Sequence, residues 1–232
     1  QASSSAASDV YKRQVLEPAG LNLLRRPKGL IPFHCAEGKV LNAFQEHVLQ
    51  ISELFSTDPI VHFTLQDGFQ DEVFECISKT VDTNSIDVSF SIQNRNTDAF
   101  CFDENRNLVA DDGIPFRRPA GHGSLLVNLN DIDADVVLIK NIDNIQHISK
   151  SKASNDTWKL LMGSLEQFQT ELKELRENYS DSRFAELNEK YKFIAPNEKL
   201  SKELLETLAT RPTRVCGICL LYTSPSPRDS FR

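Results

Sequence analysis

The sequence predicts an α/β protein built on an open, mostly parallel sheet. Two observations carry this. Apolar runs of strand character alternate with stretches of helical periodicity. Their order is strand, helix, strand, helix, strand, then a hairpin and a further strand, the pattern of successive parallel crossovers. Sheets of this kind bind ligands in the loops at the carboxyl ends of their strands.

"GLIPF" (Gly29 to Phe33) is a short apolar run after Pro27-Lys28. "KVLNAFQEHVLQISELF" places Val40, Leu41, Phe44, Val48, Ile51 and Phe55 on one helical face. "PIVHFTL" (Pro59 to Leu65) reads as a buried strand. "DGFQDEVFECISKTV" follows as a helix with the stripe Phe69, Val73, Phe74 and Ile77. "SIDVSFSIQ" alternates with period two, so Ile86, Val88, Phe90 and Ile92 share a face. A hairpin is expected around Glu104 to Asn107. "SLLVNLND" opens a short helix after two glycines, and "DADVVLIKNI" is a strand. From Asn155 to Thr210 the pattern is helical and charged, with a break near Pro196. "TRVCGI" (Thr213 to Ile218) starts another strand.

The ends are expected to be artefact. Asp9-Val-Tyr-Lys-Arg-Gln14 back-translates to GAT GTG TAT AAG AGA CAG. Its reverse complement, shifted by one base, encodes Cys219-Leu-Leu-Tyr-Thr-Ser224. One inverted DNA repeat can therefore encode both termini, as a translated sequencing adapter would. Residues 1–14 and 219–232 are accordingly set aside. Residues 15–218 are read as a fragment of one α/β domain, truncated at both ends, with a helical insertion at about 155–210. The Cys216-Gly-Ile-Cys219 pair then loses its zinc or redox meaning.

The formal net charge of −7 argues against a nucleic-acid surface, which neutralises phosphate with cations. No apolar run approaches the ~20 residues that span a bilayer. Cys35, Cys76, Cys101 and Cys216 lack metal-like spacing, and reduced cysteines in a cytoplasmic protein are the simplest reading.

Four constellations could carry chemistry. In "RPKGLIPF", Lys28 is a cation at the entrance to an element, able to neutralise a triphosphate or merely to be solvated. In "IQNRNTDAF", Gln93 follows a strand, where its amide could bond a base edge or sugar, or simply begin a polar turn. In "RPAGHGSLLVNL", Gly121 and Gly123 let ligand atoms approach the backbone ahead of a helix, or form a turn. No second histidine or cysteine stands at ligand spacing from His122, which weakens a metal reading there. In "VVLIKNIDN", Asp143 ends the expected strand, where a carboxylate can hold Mg²⁺ against phosphate or form a turn. Asp131, Asp133 and Asp135 lie at the other end and read as solvated. His34, His47, His62 and His147 show no partner in the sequence.

In this order the motifs resemble the eukaryotic-type UDP-sugar pyrophosphorylases, which include the UDP-N-acetylglucosamine and UDP-glucose enzymes. The four motifs cover about a fifth of the chain. The chain resembles more closely, over Val15 to Ile218, a bacterial family of unknown function with "PKGLIPFH", "RPAGHGSLLVNLNDIDADVVLIKNIDNI" and "RPTRVCG". The first resemblance implies a nucleotide-diphospho-sugar transferase-like fold, of the GT-A or Rossmann-like kind. It implies nucleotidyl transfer, in which a sugar-1-phosphate attacks a nucleoside triphosphate such as UTP and pyrophosphate leaves. Lys28 would be the catalytic cation. Gln93, Gly121, His122 and Gly123 would cradle base and sugar, and Asp143 would hold Mg²⁺. Two departures stand beside this. "EPAGLNLLRR" lacks the glycine-rich loop that such enzymes place before Pro-Lys-Gly, and His122 replaces an asparagine of some relatives. The chain by itself is expected to be inactive. The rival expectations are a non-catalytic nucleotide- or sugar-binding protein and a plain scaffold domain.

Overall fold

Asn42 starts the first long helix. Its side chain accepts the Gln45 backbone N–H (3.0 Å), and the Gln45 side chain accepts the Asn42 N–H (2.9 Å), a complete capping box. Helix α1 therefore spans Ala43–Leu54, and the residues before it form a strand instead. Strand β1 (Pro32–Ala36) pairs antiparallel with β2 (Lys39–Asn42). This corrects the expected helical stripe: Val40 and Leu41 lie on β2, with Val40 58% exposed, and Phe55 lies beyond the helix.

The computed structural model describes residues 10, 12–17, 20, 22–23, 26–36, 38–56, 59–82, 85–195 and 198–216. The protein is mixed α/β with small sheets and divides into two compact units, Gln1–Lys152 and Ala153–Arg232. In the first unit, β3 (Ile60–Leu65), α2 (Gln70–Ser78) and β4 (Asp87–Ile92) form the expected strand–helix–strand crossover. β3 and β4 are parallel, in register from Ile60↔Asp87 to Leu65↔Ile92.

One face of this pair and the two helices enclose the core. Leu30, Phe44, Val48, Val61, Leu65, Val73, Ile77 and Ile86 are buried there, with Val88, Phe90, Ile92 and Ile142 packed against them. Val48, Val73 and Ile77 are wholly inaccessible, each burial stabilising by roughly 1.5–3 kcal/mol. Phe74, one residue off the Val73–Ile77 row, is instead 44% exposed. The predicted alternation of β4 is observed.

Between Gln93 and Gly121 the chain forms a small antiparallel ribbon. β5 (Ala99–Phe100) pairs with β8 (Arg117–Arg118), and β6 (Ala110–Asp111) pairs with β7 (Ile114–Pro115). The expected hairpin closes through Asp103 N–H to Asn107 O (2.9 Å) and a Phe102–Leu108 bridge. A second, tighter turn uses Asp112 (φ 46°) and Gly113 (φ 78°), the left-handed pair that a two-residue hairpin demands. A 3-10 turn, His122–Leu125, then leads into the short helix α3 (Leu126–Asn130).

Two expectations fail. The sheet is not extended, because among the described residues β3 and β4 are the one parallel pair. "DADVVLIKNI" is not a strand: residues 132–141 carry no regular secondary structure among the described residues. Val136, Val137 and Ile139 are 49%, 40% and 62% exposed. Its strand-like sequence has no ladder to join, and composition alone does not make a strand.

The second unit is helical. α4 spans Lys152–Glu177, α5 Asp181–Tyr191 and α6 Lys202–Ala209. Ser180 and Ser201 cap α5 and α6 by accepting the N–H groups of Arg183 and Leu204. Leu175, Phe184, Leu187, Ile194 and Leu205 form its core. Pro196 lies outside the described residues. Thr213 to Cys216 form no strand, and the rest of that expected strand is not described.

Candidate functional site

Lys28 and Asp143 meet. Lys28 opens a 3-10 turn, Lys28–Leu30, in which Leu30 N–H bonds Pro27 O (3.0 Å). Its Nζ lies 2.5 Å from Asp143 Oδ2, across 115 residues of sequence. The two side chains are 65% and 44% exposed. A pair so open to water contributes at most about 1 kcal/mol to stability, so folding energy does not explain it.

Gly29 is what lets the two segments close. A Cβ there would stand 2.5 Å from Phe44 Cε2 and 2.8 Å from Ile142 Cγ1. Gly29 is buried, and Phe44 is only 3% exposed, so neither ring nor backbone has room to yield. Asp143 sits in a turn closed by Asn144 N–H to Asn141 O (3.0 Å), not at the end of a strand as predicted.

A third segment bears on the same turn. His47 on α1 is 7% exposed, and its Nε2 lies 3.1 Å from the Ile142 carbonyl oxygen. The carbonyl can only accept, so Nε2 carries the proton. Burial, and then the charge of Lys140, push the His47 pKa down to about 4, against the pull of the Ile142 and Asn141 carbonyls and Asp143. Lys140 donates to Gln50 Oε1, and burial pushes its pKa down to about 8. Further along, fully buried Glu46 accepts from Ile148 N–H (3.0 Å) and bonds His34 Nδ1 (3.1 Å). Ser151 Oγ donates to Glu53 Oε2 (2.7 Å). The side chains of α1 thus hold Lys140 to Ser151 where no ladder does. Sequence reading missed this role for Glu46, His47 and Gln50. The signal was present as three polar residues inside an amphipathic helix, all buried in the structure.

The other two predicted elements also meet. Gln93 follows β4, and its Nε2 donates to Ser124 Oγ (3.0 Å). Ser124 Oγ in turn donates to Gly121 O (2.8 Å). Asn128 on α3 anchors the loop, its Nδ2 donating to Ser91 Oγ (2.9 Å) and Ile92 O (3.0 Å). His62, on the same face of the parallel pair, bridges Ser89 and Ser91 (2.8 and 2.9 Å), and burial lowers its pKa.

Gly121 and Gly123 are not explained by the fold. Neither has a positive φ, and a Cβ on either would meet no atom within 4 Å. Neither backbone strain nor packing therefore requires glycine here. The His122 side chain lies outside what the structure describes. A cavity of about 510 Å³ opens beside the turn after Gln93, lined by Arg95, Asp98, Asp111, Phe116 and Arg117 among others, and none of the predicted site residues lines it.

Among the described residues no group of three His, Cys, Asp or Glu could hold a metal ion. None of their helices is long and apolar enough to cross a membrane. No curated protein and no solved structure matches the chain. One family does, over residues 1–225, and the chain belongs to it: the domain of unknown function DUF4301.

Proposed function

We propose that the site is a nucleotide-sugar site and that the protein carrying it catalyses nucleotidyl transfer. A phosphate oxygen of a sugar-1-phosphate would attack the α-phosphorus of a nucleoside triphosphate such as UTP, and pyrophosphate would leave. The observation that carries this reading is the Lys28–Asp143 contact, which joins two separately predicted residues. The Gln93–Ser124–Gly121 chain joins the remaining two elements, and supports it.

Such a reaction asks the protein for positioning and charge neutralisation rather than covalent chemistry. Lys28 would leave Asp143 for the triphosphate, whose charge its ammonium neutralises. The side-chain-free edges of Gly121 and Gly123 would admit base or sugar, with the Gln93 amide beside them. Asp143 offers a carboxylate, and Mg²⁺ prefers a few protein oxygens together with phosphate oxygens, which fits an ion carried in on the triphosphate. The ion would add positive charge against the phosphates.

A second reading is nucleotide or sugar binding without turnover. Calorimetry with UTP and UDP-sugars, with and without Mg²⁺, tests both. No binding under any condition rejects both. Pyrophosphate release from UTP with a panel of sugar-1-phosphates separates them. For the enzyme, Lys28→Ala and Asp143→Ala each abolish most of the activity; wild-type rates in both variants reject the assignment.

A further inference from the structure

We infer that His47 is the positioning residue for the Lys28–Asp143 pair, an inference that takes the pair's role from the function proposed above. The segment that delivers Asp143 has no ladder to fix it, since residues 134–140 form no strand among the described residues. Its placement comes from α1. Phe44, His47 and Gln50 are three residues apart and lie along one helical face. Phe44 closes with Ile142 around Gly29, and Gln50 takes the Lys140 ammonium. These two contacts hold side chains. His47 holds the main chain, at the carbonyl of the residue before Asp143.

That difference matters geometrically. The Ile142–Asp143 peptide is planar, so holding its carbonyl oxygen restrains the direction in which the Asp143 Cα departs. The turn bond from Asn144 N–H to Asn141 O then completes the placement. A nine-tenths-buried imidazole is also a rigid donor, with few rotamers to choose from and little water to compete for its proton. His47 touches neither Lys28 nor the Asp143 carboxylate through a hydrogen bond; it acts through the peptide.

Three variants test this. His47→Leu keeps an apolar body and removes the donor. His47→Asn keeps a polar group too short to reach Ile142 O, and decides the matter if the leucine variant fails to fold. His47→Gln supplies an amide donor of nearly the imidazole's reach. Two readouts are used: amide hydrogen exchange at Asn144, and the affinity for UTP with Mg²⁺. In the leucine and asparagine variants Asn144 exchange should rise and UTP affinity fall, each about tenfold, the equivalent of one ordinary hydrogen bond. The glutamine variant should stay within about threefold of wild type in both. Unchanged Asn144 exchange in the leucine or asparagine variant overturns the inference. So does a glutamine variant as impaired as they are, which would show that imidazole packing, not donation, is what counts. If the wild type binds no UTP, the proposed function fails, and the exchange arm still decides the role of His47.

Discussion

Acid should unfold this protein partly through His47. Its folded-state pKa is about 4, against an ordinary value near 6.5. Between those two pH values the unfolded chain binds a proton that the folded chain refuses. Protons therefore favour unfolding in that window, and stability rises with pH across it. The contribution is complete above about 6.5, falls as pH drops towards 4, and changes no further below. Each pH unit between the midpoints is worth about 1.4 kcal/mol, so the interval corresponds to about 3 kcal/mol. The side chain is 7% exposed, so solvent screening removes little of it. The assay is urea unfolding of wild type and His47→Gln at closely spaced pH values from 3.5 to 7.5. Carboxylates such as Asp103, held below its usual range mainly by the Asn107 N–H, titrate alike in both proteins and cancel in the difference. The wild type should lose about 3 kcal/mol more than the variant between pH 7 and pH 4. A difference that stays flat across this window would refute the reasoning, because it would mean that His47 is hydrated or charged in the folded protein.

Gly29→Ala should cost about 1–3 kcal/mol, the usual price of forcing a methyl group into a filled core, and chemical denaturation reads it. The same variant should bind UTP more weakly than wild type, because the methyl group pushes Ile142, and Asp143 with it, away from Lys28. Phe184→Ala should destabilise the helical unit by about 3–5 kcal/mol, since its ring is wholly inaccessible and packs beside Tyr179 and Phe193. Loss of helical circular dichroism at lower temperature measures this, and an unshifted transition contradicts the core described for α4 to α6.

Much of the first unit was legible in the sequence because its signals are local. The period-two pattern of Ile86 to Ile92 and the Val73–Ile77 spacing need only neighbours to be read. The stripe of α1 was legible too, but its start was not: Asn42 and Gln45 close a capping box only when the chain turns there. "VVLIK" shows the limit. Its composition suits a strand, yet pairing depends on a partner strand that no local pattern specifies, and no strand forms there among the described residues.

The site divides in the same way. The sequence by itself determined which residue types stand in motif order: Lys28, Gln93, the Gly121–Gly123 loop and Asp143. It also determined that the two loop glycines precede a short helix. Only the tertiary structure decided that Lys28 reaches Asp143, that Gln93 reaches the loop through Ser124, and that α1 supplies the support. The physical reason is sequence separation. A contact spanning 115 residues depends on how whole elements pack. The roles of His47 and Gln50 depend on which helical face meets a segment about ninety residues further on.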